Sequence, residues 1–209
     1  PYYINLNSNE PEKKEASIKR ILNTARAAYW MGAESYTFHA AFFMKQEPDK
    51  VYGVVRQAIE LIMEEIDKEG IGGPKLSPEL TGKPTQWGSL QELIRLCQDV
   101  EGVHPCIDFA HAHARSGGAE NSYEEFRASL EAIKSELGQQ YLERLHIHVS
   151  GIEYSAKGER HHLVLQESDF KYQELIQALR DCNVGGTVVC ESPSLEEDAA
   201  LMKAAYDKL

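Results

Sequence analysis

The sequence predicts an α/β fold, a barrel of parallel strands each followed by a helix, and three observations carry that prediction. Five short, strand-like apolar runs each end in a residue of a type that binds metals: Tyr36-Thr37-Phe38-His39, Lys75-Leu76-Ser77-Pro78-Glu79, Cys106-Ile107-Asp108, Leu145-His146-Ile147-His148 and Val188-Val189-Cys190-Glu191. These runs recur roughly every 30 to 45 residues, with helical patterns between them, which is the beat of a (β/α) barrel. The chain has 209 residues, 42% of them hydrophobic and 26% charged, enough for one sizeable core. One domain spanning 1–209 is expected. Strand ends of such a barrel converge on one face, so the five runs would bring their ligands together as a metal cluster.

The elements follow in order. Tyr2 to Leu6 reads as a strand, and the polar turn Asn7-Ser8-Asn9-Glu10-Pro11 leads into a helix to about Met31, with Ile18, Ile21, Leu22, Ala25 and Ala28 at helical spacing. Ser35 to His39 is a strand. Pro48 to Glu69 is a helix with Val51, Val54, Val55, Ala58, Ile59, Ile62 and Ile66 on one side. A short strand to Glu79, a helix from Ser89 to Val100, a strand from Val103 to Phe109 and a helix from Ser122 to Leu137 come next. The series ends with a strand at Arg144 to Ser150, a helix at Phe170 to Cys182, a strand at Thr187 to Glu191 and a helix at Leu195 to Leu209. A closed all-parallel barrel takes eight strands and eight helices, and this series has six of each. The chain opens at Pro1, inside what reads as a strand. The expectation is therefore a (β/α)8 barrel with about two N-terminal βα units absent from this chain, because an open edge of parallel strands would expose unpaired backbone.

Composition excludes several classes. Cys97, Cys106, Cys182 and Cys190 form no CxxC pair and read as reduced thiols, not a disulfide frame or a zinc ribbon. No segment approaches the length of a membrane span and the N-terminus carries no signal pattern, so a soluble, cytoplasmic protein is expected. The net charge of −11 weighs against a nucleic-acid partner. That veto is weak, because several carboxylates belong to the proposed ligand set and each divalent ion would add about two positive charges there. Lys83, Arg115, Lys157 and Arg160 lie in loops after the ligand-bearing strands, either as ordinary solvated charge or as a phosphate-contacting rim.

The loops supply the chemistry. In Asp108-Phe109-Ala110-His111 the carboxylate and imidazole are three apart at a strand-to-loop turn, a pairing suited to Zn²⁺ or Mn²⁺, or else a surface histidine beside a structural aspartate. Glu79 is followed by a glycine-bearing loop, Gly82 to Gly88, that reads as a plain turn or as a bridging ligand before a phosphate-binding helix start. Gly158-Glu159-Arg160-His161-His162 offers a carboxylate and two imidazoles in a polar loop, with solvent exposure as the other reading.

Taken together, Tyr2-Tyr3-Ile4-Asn5-Leu6, Phe38-His39, Pro78-Glu79 with Gly82 and Gly88, Ile107-Asp108 with His111, Ile147-His148, Glu159 to His162 and Glu191-Ser192-Pro193 resemble the endonuclease IV family of abasic-site endonucleases. Those enzymes are metal-dependent barrels of the xylose isomerase-like superfold. The resemblance runs in order along essentially the whole chain, and the loop wording is closer to archaeal than to bacterial members. It implies hydrolysis of the DNA phosphodiester 5′ to an abasic site, leaving a 3′-hydroxyl in base excision repair, with up to three ions, usually zinc. His39 and Glu79 would hold the first ion; Glu79 would bridge to a second held by Asp108, His148 and Glu191. His111, Glu159 and one of His161 or His162 would hold the third. An attacking hydroxide near Glu79 would be oriented or deprotonated by Glu191. Tyr2, Lys83, Arg115, Lys157 and Arg160 would face double-stranded DNA, and the protein would act as a monomer.

This sequence also departs from the family. The family's first histidine and its minor-groove loop fall upstream of Pro1. Glu159-Arg160-His161-His162 stands where bacterial enzymes have Asp-Arg-His, which leaves the third-site imidazole open. Val149-Ser150-Gly151-Ile152-Glu153-Tyr154 replaces the usual Leu-Asn-Asp loop. His113 has no counterpart, and His104 and His146 are expected to pack or face away. The alternative is a sugar isomerase or 3-epimerase of the same superfold, which would use only Glu79, Asp108, His148 and Glu191 around one Mn²⁺ or Co²⁺. A noncatalytic metal- or nucleic-acid-binding protein is a third reading, tied to a chain complete at Pro1.

Overall fold

In a computed structural model, residues 1–209 are described and divide into two compact units, Pro1–Glu79 with Thr85–Pro105, and Leu80–Pro84 with Cys106–Leu209. The first unit contains α1 (Pro11–Met31), β1 (Ser35–Phe38), β2 (Ala41–Phe42), α2 (Pro48–Glu69), β3 (Lys75–Pro78), β4 (Gln86–Trp87) and α3 (Leu90–Asp99). Proline opens both long helices, where its missing N–H costs nothing, and Gly32 and Gly70 close them in the left-handed conformation at φ 68°. Ser89 and Glu92 form a reciprocal capping box on α3. The buried stripe of α2, Val51, Val55, Ile59, Ile62 and Ile66, packs toward α1 and α3. Strands β1 and β3 pair in parallel from Ser35↔Lys75 to Phe38↔Pro78, which puts the ends bearing His39 and Glu79 side by side.

Tyr2 to Leu6 is not a strand. Its one ladder-like bond runs from Leu6 N–H to Ala40 O at 2.9 Å, and Tyr3 at φ 60° breaks any extended run.

The second unit contains β5 (Cys106–Asp108), α4 (Phe109–Arg115), α5 (Tyr123–Leu137), α6 (Gln139–Leu142), β6 (Leu145–Val149), β7 (Gly151–Ser155), β8 (Gly158–Leu163), a 3₁₀ turn at Leu165–Glu167, α7 (Tyr172–Asp181), β9 (Gly186–Cys190) and α8 (Glu196–Tyr206). Its sheet is parallel in the order β5-β6-β9. Ile107, Leu145, Ile147 and Val149 are buried in this sheet, and Leu130, Ile133, Leu175 and Leu179 are buried on α5 and α7, which pack together. The strand expected to reach Phe109 stops at Asp108, because the Asp108 carboxylate accepts the His111 N–H at 2.8 Å and caps α4. The polar loop expected at Gly158 to His162 is instead β8, antiparallel to β7 with a bulge at Glu153/Tyr154.

The hydrogen-bonded parallel strands thus form two separate sheets, β1-β3 and β5-β6-β9, and do not close into a barrel. No helix is long and apolar enough to cross a membrane.

Candidate metal centre

In the first unit, His39 Nε2 lies 3.4 Å from Glu79 Oε1, and the Thr37 hydroxyl donates to Glu79 Oε2 at 3.3 Å. Glu79 is buried and His39 half-exposed, so the carboxylate is held from the protein side while the imidazole lines the approach. The parallel register of β1 and β3 creates this pair: each ligand is the residue after a paired strand end.

The second unit holds two donor groups that share Asp108. Ligand-type atoms of Asp108, His148 and Glu191 lie within 4.8 Å of one another, as do those of Asp108, His111 and His162. Asp108 and His148 are register partners on β5 and β6, and Glu191 follows β9 directly. His148 Nδ1 lies 3.3 Å from Glu191 Oε2.

Around His111, the ring Nδ1 faces two acceptors, Leu80 O at 2.9 Å and Asp108 Oδ2 at 3.2 Å. A carbonyl oxygen can only accept, so Nδ1 carries the proton and Nε2 keeps its lone pair. Glu159 Oε2 lies 3.6 Å from that Nε2. His162 is set in the same way, with Nδ1–H donating to Glu191 O at 2.9 Å, and its ring centroid is 5.7 Å from that of His111. His161 points the other way, with Nε2 3.2 Å from Glu153 Oε2, and is exposed. Of the two histidines, the fold therefore brings His162 into the donor group and leaves His161 outside it.

Glycine is required where this group meets its loop. A Cβ on Gly82 would stand 2.7 Å from Glu159 Cβ and 2.8 Å from Glu159 Oε2, and Gly82 O accepts the Glu159 N–H at 2.9 Å. The β7–β8 hairpin is pinned from behind by Asp169, which accepts from Tyr154 OH at 2.8 Å and pairs with His113 Nε2 at 3.0 Å. Burial raises the Asp169 carboxyl pKa, but the hydrogen bonds from His113 and Tyr154 outweigh it and the net effect lowers that pKa.

The donor set suits a borderline divalent ion: buried carboxylate and imidazole, with the histidine protons directed to carbonyl and carboxylate oxygens. The expected DNA-facing residues differ in what they touch. Tyr2 is 88% exposed, and Lys157 is exposed on the β7–β8 turn. Arg160 pairs with Glu153 at 2.5 Å, and Lys83 is half-buried. Arg115, the last residue of α4, is committed to the Leu80–Pro84 loop, donating to Thr81 Oγ1 at 3.0 Å and Lys83 O at 2.8 Å.

His146 does not face away. Its Nε2 is 3.0 Å from His148 Nε2, a contact the i, i+2 spacing on one strand already implied.

The family described as the xylose isomerase-like TIM barrel matches residues 1–208. The chain belongs to that family. It is 42% identical over 209 residues to uncharacterized protein MJ0133 of Methanocaldococcus jannaschii, a match covering 100% of this chain and 76% of that protein. A probable endonuclease 4 of Chlorobium phaeovibrioides is 23% identical over 147 residues, covering 70% of this chain and 52% of that protein. Among solved structures, a D-tagatose 3-epimerase-like protein superposes with TM-score 0.74 at 15% identity, over 100% of this chain and 73% of that one. The chain thus has a relative of the endonuclease kind in sequence and a neighbour of the epimerase kind in fold.

Proposed function

We propose that this chain is a zinc-dependent abasic-site endonuclease that hydrolyses the DNA phosphodiester 5′ to the lesion and leaves a 3′-hydroxyl. The observation that carries this reading is the second donor group of Asp108, His111 and His162, with Glu159 beside it. A one-ion sugar enzyme is complete with a single set of about four ligands. The endonuclease 4 relative supports the same reading.

The first ion is assigned to His39 and Glu79, and the second to Glu79, Asp108, His148 and Glu191. The third is assigned to His111, Glu159 and His162. Zinc at these residues would polarise the phosphodiester and lower the pKa of water; Mn²⁺ suits the same donors. Glu191 takes or directs the proton of the attacking water, and its placement beside His148 Nδ1 holds its carboxylate in orientation. Glu79, braced by the Thr37 hydroxyl, holds the attacking oxygen's position. Lys157, Arg160 and Tyr2 are presented to the DNA, with Lys83 on the separate Leu80–Pro84 loop that Arg115 stiffens. An abasic nucleotide has no base to unstack, so its extrusion costs little and selects the lesion. The protein acts as a monomer in the cytoplasm.

The second reading is a single-metal 3-epimerase, which needs only one ion; the likeness to the D-tagatose 3-epimerase-like structure is one of fold, which both readings share. The variants His39→Ala and His111→Ala separate the two. Incision of an abasic-analogue duplex should fall by at least about a hundredfold in each. An epimerase would keep ketohexose turnover in both variants, and that result would replace the proposal.

A further inference from the structure

The parallel register of β5 and β6 sets Cys106 beside His146 and Asp108 beside His148, so each strand offers two residues to one side of the sheet. Asp108 and His148 belong to the centre already described. Cys106 and His146 lie one step back along the strands and have no role there. Yet ligand-type atoms of Cys106, His146 and His148 lie within 4.8 Å of one another. The Cys106 thiol is fully buried, His148 is buried, and His146 is half-buried.

We infer that Cys106, His146 and His148 form a separate site for one thiophilic divalent cation, with Zn²⁺ the natural occupant. Three features argue for it. One thiolate and two imidazoles are the donor set of soft and borderline ions, unlike the carboxylate-rich set beside it. The Nε2 atoms of His146 and His148 are 3.0 Å apart, close to the separation of two nitrogens on one tetrahedral ion. The outer nitrogen of His148, Nδ1, faces the Glu191 carboxylate at 3.3 Å, the partner that fixes a ligating histidine's tautomer and turns Nε2 toward the ion.

His148 is thereby the shared residue. It offers Nε2 to the thiol side and Nδ1 to Glu191, and one neutral imidazole serves one ion at a time. The soft site and the carboxylate group therefore compete for it. This inference does not depend on the endonuclease reading, since the soft site would stand equally in an epimerase.

The test is a Co²⁺ titration of the metal-free 209-residue chain, read by the near-ultraviolet thiolate-to-cobalt charge-transfer band. Wild type should develop that band with one saturating equivalent, and Zn²⁺ should bleach it. Cys106→Ser should abolish it while the remaining cobalt spectrum persists. His146→Asn keeps every thiol and alters a half-buried side chain; it should weaken the band-forming site by at least about tenfold. No band in wild type at saturating cobalt would overturn the site. So would a band that survives in Cys106→Ser, since Cys97, Cys182 or Cys190 would then be its source. Undiminished affinity in His146→Asn would also overturn it.

Discussion

Strand β6 holds His146 and His148 between two parallel neighbours, whereas β8 holds His161 and His162 against one antiparallel neighbour. In β6 the histidines are two apart, so both rings fall on one side and their Nε2 atoms meet at 3.0 Å. In β8 they are adjacent, so they part. His162 turns inward beside buried Ile152, its register partner, while His161 turns outward to Glu153. Strand parity, more than residue type, decides which imidazole can serve a metal. The two regions also differ in what fixes them. Register on both sides holds β6. The hairpin depends on a few anchors: Glu159 N–H to Gly82 O, His162 to Glu191 O, and Tyr154 and His113 on Asp169.

The largest expected effect lies at the β9 end of the parallel sheet. Glu191→Gln keeps the shape of the side chain but removes its charge and basicity. Incision should fall by at least about a hundredfold with the melting midpoint nearly unchanged; retained incision would remove Glu191 from its assigned role. Next comes the parity contrast itself. His162→Gln should lose one bound metal per chain and at least about tenfold in incision, while His161→Gln should behave as wild type. Equal losses in both would mean that the hairpin face does not select the ligand.

Smaller effects probe the anchors. Gly158 sits at φ 88°, and a Cβ there would run into Gly82 O and come within 2.9 Å of Lys83 Cα. Gly117 sits at φ 68° with nothing within 4 Å. Gly158→Ala should cost about 1–3 kcal/mol or more, and Gly117→Ala only about 1 kcal/mol, read by denaturant unfolding. Tyr154→Phe, at a partly exposed bond, should cost under about 1 kcal/mol. Asp169 gives this anchor a pH signature. Its folded pKa lies below the ordinary value of about 3.9, so its contribution is present above that pH and is lost as pH falls through the lower folded value. Amide exchange in β7 and β8 should rise in that acid window in wild type, and Tyr154→Phe should shift the rise to higher pH.

Much of this was legible in the sequence. The helices to Met31 and from Pro48 to Glu69, and the strands that lead to His39, Glu79, Asp108, His148 and Glu191, stand where the pattern put them. Those positions are governed by local signals: capping, apolar spacing and β-branched runs. The hairpin was not legible, because Gly158-Glu159-Arg160-His161-His162 has no apolar alternation and is ordered by distant partners at Gly82, Glu191 and Glu153. The start of α4 was hidden because Asp108 reads as a strand-end ligand while also serving as a helix cap. His146 was missed although its signal was present: the i, i+2 spacing that places His148 places it too.

The most direct test of the endonuclease proposal is incision of a duplex oligonucleotide carrying one stable abasic analogue, followed by polymerase extension of the nick. The zinc-loaded chain should cut 5′ to the lesion and leave an extendable 3′-hydroxyl, with activity lost on chelation and restored by zinc. An intact duplex, from chain shown to hold about one metal ion, would contradict it and favour the epimerase.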